Sequence, residues 1–161
     1  MEDLFSQCGA LLDNVSNRDY SGTDYFDKAI ECLDMDAYEH KVRRPSWPEP
    51  TVDVVIGIGD SGVGVLDNKR LLMIELRMNY TNTNNLHGFD SIRKMAHTKD
   101  LQGEDLKVDE MAWFVFVDGV APVAGNWLSR RSLADSDRKL SKGKICGVSQ
   151  FRECIQSPLR F

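Results

Sequence analysis

The stretch LLMIELRM, residues 71–78, decides how this chain is read. With a period of two, Leu72, Ile74, Leu76 and Met78 line one face of a strand, and Leu71, Met73, Glu75 and Arg77 line the other. The second face changes from apolar to charged along its length. The plain reading is that the strand leaves the core there, with Glu75 and Arg77 paired near the surface.

Just upstream, TVDVVIGIG (residues 51–59) predicts a strand over 52–58, joined to the first by the turn-forming DSGVGVLDN (60–68), with Asn68 and Lys69 closing the loop. Downstream, HGFDSIRKMAHTKDLQG (87–103) has helical spacing through Phe89, Ile92 and Ala96, and Gly103 is a natural stop. EMAWFVFVDG (110–119) then reads as a third, very apolar strand over 111–117, placed centrally.

The flanks are less regular. Residues 2–15 and 23–40 both read as helices, the second placing Phe26, Ala29, Ile30, Leu33 and Ala37 on one face, with Ser21 or Thr23 as its cap. RRPSWPEP (43–50) holds three prolines, so no helix crosses it and the chain enters the sheet extended. Toward the C-terminus, APVAGNW (121–127) reads as a turn, SLADSDRKLSKG (132–143) as a short helix and KICGVSQF (144–151) as an edge strand.

At 161 residues and 42% apolar composition, the expectation is one α/β (α+β) domain over 1–161: a small mixed central sheet with flanking helices. Its parts are an acidic helical region (1–42), a sheet core with a helix (51–117) and a basic C-terminal region (118–161). The charge is uneven. Residues 1–40 hold ten Asp/Glu and two Arg/Lys, a net of −8, whereas residues 119–161 hold three acids and eight bases, a net of +5, within a total of −5. An acidic chain leans away from nucleic acid, whose binding rests on phosphate neutralisation, and toward a basic protein partner. No basic leader and no apolar run near the roughly 18 residues of a membrane span are present, so the expectation is a cytoplasmic protein without a membrane partner.

Several motifs lead nowhere. Gly57-Ile58-Gly59-Asp60-Ser61-Gly62 matches a dinucleotide fingerprint, but another strand follows where a helix must begin, so a glycine-rich hairpin loop is the better reading. Gly59-Asp60-Ser61-Gly62 matches the nucleophile segment of trypsin-like proteases without the upstream histidine and aspartate context. Cys8, Cys32, Cys146 and Cys154 lack zinc-ligand spacing and read as buried free thiols. His40, His87 and His97 share no ligand spacing, and the glycosylation patterns at Asn14 and Asn79 lack a secretory leader.

With Asp53 opening one strand and Glu75-x-Arg77 inside the next, the chain resembles the PD-(D/E)XK nuclease-like superfamily over roughly residues 23–117. The resemblance implies a core of helix, three-stranded hairpin sheet, helix and strand, like that of restriction endonucleases. It implies Asp53 and Glu75 as Mg²⁺ ligands, and Glu31 or Glu39 as an additional helical acid. Two departures matter: Val52 precedes Asp53 in place of proline, and Arg77 stands where the family has lysine. Arginine stays charged at any working pH and grips a carboxylate in a two-pronged way, so it takes no part in proton transfer. Its fixed charge stands where a metal would, and an Asp53/Glu75/Arg77 cluster can neutralise itself.

Two functional expectations follow. The first is a non-catalytic member, with no cofactor, that binds protein: an immunity or inhibitor protein that neutralises a basic, nucleic-acid-directed nuclease toxin. Its partner surface would be Asp24, Asp27, Glu31, Asp34, Asp36 and Glu39. The second is a Mg²⁺-dependent nuclease cleaving DNA or RNA. There Asp53, Glu75 and Arg77 would be catalytic, and Arg130, Arg131, Arg138, Lys139, Lys142 and Lys144 would hold the backbone. Arg93, Lys94 or Lys99 would reach the site from the helix after the glutamate strand.

Overall fold

The computed structural model describes residues 7–18, 25–27, 30–59, 62–63, 70–78, 88–102, 108–126 and 143–156. The strands are β1 (Gly9–Leu11), β2 (Glu31–Asp34), β3 (Val54–Gly59), β4 (Gly62–Val63), β5 (Arg70–Arg77), β6 (Val108–Phe116) and β7 (Gly143–Gly147). They form one mixed sheet in the order β1-β2-β3-β5-β6-β7, with β4 folded back on β3. The pairs from β1 to β5 are antiparallel, and β5–β6 and β6–β7 are parallel. The helices are α1 (Leu12–Ser16), α2 (Met35–Ala37, continuing as a π-helical turn over Tyr38–Arg43), α3 (Gly88–Gln102), α4 (residues 121–126) and α5 (Val148–Gln156).

Parallel neighbours cannot be joined by a tight turn, and α3 lies between β5 and β6 in the chain as the crossover that their pairing requires. The period of two in β5 sorts its side chains between two apolar layers. Leu72 and Ile74 join Val54, Ile56, Trp113, Val115 and Phe151 on one face. Leu71 and Met73 join Leu33, Val55, Ala112, Phe114 and Phe116 on the other, where Met95 and Leu101 of α3 cover them. Both faces of the central strands are therefore buried, which is why β3, β5 and β6 read as nearly continuous apolar runs. The mixed α/β class is the one expected.

Of the helices expected over 2–15 and 23–40, residues 2–6, 23–24 and 28–29 lie outside the described residues, residues 7–8, 12–15 and 35–40 are helical, and two strands stand within the stretches expected to be helix. Residues 9–11 pair as β1 with β2, and α1 begins only at Leu12. Residues 31–34 form a strand between β1 and β3, not a helical face. The reason is burial on two sides: Cys32 joins one apolar layer and its neighbour Leu33 the other, both 0% exposed. A helix would bury only one stripe, whereas a strand sends successive side chains to opposite faces. Asp13, itself buried, anchors the described residues 25–27 by accepting hydrogen bonds from the backbone N–H groups of Tyr25 and Phe26, each at 3.0 Å.

Near the C-terminus, residues 121–126 are helical where a turn was expected. KICGVSQF divides: its first part is the edge strand β7, and from Val148 the chain turns into α5, which packs Phe151, Cys154 and Ile155 onto the sheet. Gly59 pairs with Gly62, so the glycine-rich segment is a hairpin leading to a strand. Residues 132–142 of the expected short helix, and Asn68 and Lys69, lie outside the described residues.

Candidate functional site

The register Val54↔Ile74 sets Asp53 opposite Glu75 one step further along the β3–β5 pair, on the sheet face that α3 covers. The two residues are tied through each other's backbone. The Asp53 N–H donates to Glu75 Oε2 at 3.3 Å, and the Leu76 N–H donates to Asp53 Oδ2 at 2.6 Å. Glu75 is 1% exposed, and its Oε1 accepts from both the Arg77 guanidinium and the Lys94 ammonium. Strand β5 supplies Arg77, and α3, lying across this face, supplies Lys94. The charges of LLMIELRM thus stay inside, and the buried carboxylate has two cations.

Asp53 responds to this setting. Burial pushes its carboxyl up, the neighbouring Glu75 adds to the rise, and Lys94, Arg77 and the Leu76 N–H only partly oppose it, so its pKa stands at about 7. Asp53 and Lys94 also form one wall of a cavity of about 350 Å³ whose other walls are Asp36, His40 and the segment Pro48–Thr51.

A second charged knot supports the first. Glu39, on the π-helical turn, is 1% exposed. It accepts from Arg43 at 2.7 Å and, through Oε1, from the Glu49 backbone N–H at 3.0 Å, and His97 of α3 lies 3.3 Å away. Burial acts to raise its pKa, but these hydrogen bonds outweigh burial and the carboxylate is held below its ordinary value. Thr98, fully buried on the same helix, accepts from the Val52 N–H at 3.0 Å. Helix α3 therefore fixes the start of β3, and with it Asp53.

Asp53, Glu75 and Arg77 are brought together, and Lys94 is the member of the Arg93, Lys94 and Lys99 set that reaches Glu75. Glu39 is committed to Arg43, His97 and the Glu49 N–H, and Glu31 is exposed on β2, so neither stands as a helical acid beside the pair. Of the acids expected to form a partner surface, Asp27, Glu31 and Asp36 are exposed, while Asp24 lies outside the described residues. Asp34 is buried, pairs with Arg18 and caps α2 by accepting from the Ala37 N–H at 2.9 Å. Asp34 and Glu39 are thus structural, Asp34 because β2 replaces the expected helix there and Glu39 because the π-helical turn sets it against Arg43, the Glu49 N–H and His97 of α3. In the expected basic cluster, Arg130, Arg131, Arg138, Lys139 and Lys142 lie outside the described residues, and Lys144 sits 4.0 Å over the Trp113 ring.

The oxygen atoms of the Asp53/Glu75 pair do not fit Mg²⁺ as they stand. That ion requires six oxygen ligands at about 2.0–2.1 Å. Both oxygens of Glu75 and Oδ2 of Asp53 already accept hydrogen bonds, two of those bonds from cations. Among the described residues no group of three or more His, Cys, Asp or Glu side chains is placed to hold a metal. The four cysteines are buried and form no disulfide, and burial raises the thiols of Cys8, Cys32 and Cys146 to about 11, 12 and 12, which makes them poor nucleophiles. Among the described residues no helix is long and apolar enough to cross a membrane.

The fold and site define a mixed α/β protein with a cation-compensated carboxylate pair, one member of which, Asp53, lines a cavity. No family model, no curated protein and no solved structure matches the chain.

Proposed function

We propose that this chain is a non-catalytic protein of nuclease-like fold that acts by binding another protein, as an immunity or inhibitor protein neutralises a nucleic-acid-directed toxin. The observation that carries this reading is the double compensation of Glu75 by Arg77 and Lys94. Two cations already occupy the neighbourhood in which a divalent ion would have to bind, so a metal gains little there. The net charge of −5, with Asp27, Glu31 and Asp36 exposed, supports a basic partner.

The alternative, a Mg²⁺-dependent nuclease cleaving DNA or RNA, has one observation in its favour: a lysine amine does stand beside the carboxylates, delivered by Lys94 of α3 and not by the strand. Calorimetric titration with Mg²⁺ and Mn²⁺, run beside cleavage assays on DNA and RNA, separates the two. Binding without catalysis requires no saturable metal heat and no cleavage. Metal-dependent cleavage by the wild-type protein that disappears in a folded Glu75→Gln variant refutes it.

A further inference from the structure

We propose that the cavity beside Asp53 receives an arginine side chain of the protein partner, with Trp47 as the aromatic anchor next to it. This inference rests on the protein-binding reading and names the chemistry of what is bound. At about 350 Å³ the cavity falls within the roughly 300–1,000 Å³ of ordinary ligand pockets, ample for one long side chain. Among the described lining residues, Asp36 and Glu49 carry exposed carboxylates, Asp53 adds a carboxyl group that keeps its proton up to about pH 7 and accepts or donates as a neutral acid, and Lys94 is already committed to Glu75, with His40 beside Asp36. An anion is disfavoured by such a lining and a cation is favoured.

The wall that carries Glu49 is preorganised. Pro48 and Pro50 restrict the backbone on either side, and the Glu49 N–H is held at 3.0 Å by the buried Glu39 carboxylate. Glu49 therefore projects from an anchored backbone. Its own partner, Arg93, is 3.7 Å away with both side chains about half exposed. Asp36 lies 3.5 Å from Arg18 and 3.4 Å from His40 on equally open surface. Exposed pairs of this kind contribute little, so an incoming guanidinium can displace them.

Trp47 selects arginine over lysine. It precedes the cavity wall by one residue and is 88% exposed, a large apolar surface of the kind that anchors protein interfaces. A guanidinium stacks on an indole face and engages carboxylates with two parallel hydrogen bonds, whereas an ammonium is a point charge.

The probe is the peptide acetyl-Gly-Arg-Gly-amide, titrated into the full chain and followed by ¹⁵N NMR, with the Trp47 indole resonance identified from Trp47→Phe. The expected result is saturable shifts at the Trp47 indole and the Glu49 amide with a Kd of about 1–10 mM, the range for one anchored side chain. Glu49→Gln and Asp36→Asn, each with an otherwise unchanged spectrum, should weaken binding at least about threefold, as loss of one charge-assisted contact implies. The lysine peptide should bind about threefold more weakly, and the citrulline peptide, of equal shape without the charge, about tenfold more weakly. Absence of shifts at both positions, equal binding of the citrulline or lysine peptide, or insensitivity to Glu49→Gln overturns the proposal. Failure of the peptide in a protein that neither binds metal nor cleaves removes only the arginine pocket. Metal-dependent cleavage by the same sample removes the binding reading itself.

Discussion

Asp53 and Glu75 face each other across the β3–β5 pair and are bound through each other's strand, Asp53 N–H to Glu75 Oε2 and Leu76 N–H to Asp53 Oδ2. Two carboxylates this close repel when both are charged. The pair persists because Arg77 and Lys94 both stand against Glu75 while Asp53 retains its proton to an unusually high pH.

Removing one cation leaves Glu75 with the other. Arg77→Ala and Lys94→Met should each cost about 1.5–3 kcal/mol, the range for a hydrogen bond to a charged group. The double variant should lose more than the sum, because Glu75 would then be a buried charge without compensation. Urea unfolding of the four proteins measures this, and simple additivity would show that the two cations act independently.

The elevated pKa of Asp53, caused first by burial and then by Glu75, has a defined pH signature. Between about pH 4 and about pH 7 the folded chain binds a proton that the unfolded chain has released. Its contribution to stability is thus complete below the unfolded value and is lost as pH rises through about 7. Asp53→Asn removes that loss. Relative to wild type, the variant should gain stability from about pH 4 to about pH 7 and level off above it; a constant difference across that window would contradict the assigned shift.

Asp118, in the turn after β6, caps α5 from a distance by accepting from the Ser149 backbone N–H at 2.9 Å and from its hydroxyl. Asp118→Ala should cost about 0.5–2 kcal/mol, as for other lost caps. At Gly147 a methyl group would meet the Asp118 carboxylate and lie 3.3 Å from its Cα, so Gly147→Ala should lower the melting temperature further than Asp118→Ala does. A neutral Gly147→Ala would mean that the turn has room to move.

Phe151 places α5 on the sheet, with ring centroids 5.8 Å from both Phe26 and Trp113. Phe151→Ala should cost about 3–5 kcal/mol. Gln150→Ala, on the exposed side of the same helix, should stay within about 0.5 kcal/mol. Equal effects at the two positions, measured by denaturant unfolding, would contradict the helical assignment there.

What could be read from the chain alone was whatever a local period encodes. Strands β3, β5 and β6, helix α3 between β5 and β6, and the two-faced character of LLMIELRM all followed from spacing. The meeting of Asp53 with Glu75 and Arg77 was what the family resemblance implied: spacing put only Glu75 and Arg77 on one face, and the register that opposes Asp53 to Glu75 belongs to the pairing of β3 with β5. Lys94 was legible only as one of three basic residues on that helix, since the helix period does not state which face lies over the carboxylates.

Residues 31–34 were settled only by tertiary structure. Their composition suits an amphipathic helix, yet Cys32 and Leu33 each found a separate apolar layer to enter once β1 and β3 stood on either side. That choice also moved Asp34 from an expected acidic surface to a buried pairing with Arg18, while the packing of the π-helical turn against α3 buried Glu39 with Arg43 and His97. Local sequence sets which side chains can share a face. Only the assembled sheet decides whether one face or two will be buried, because the free energy of burial belongs to contacts between segments far apart in the chain.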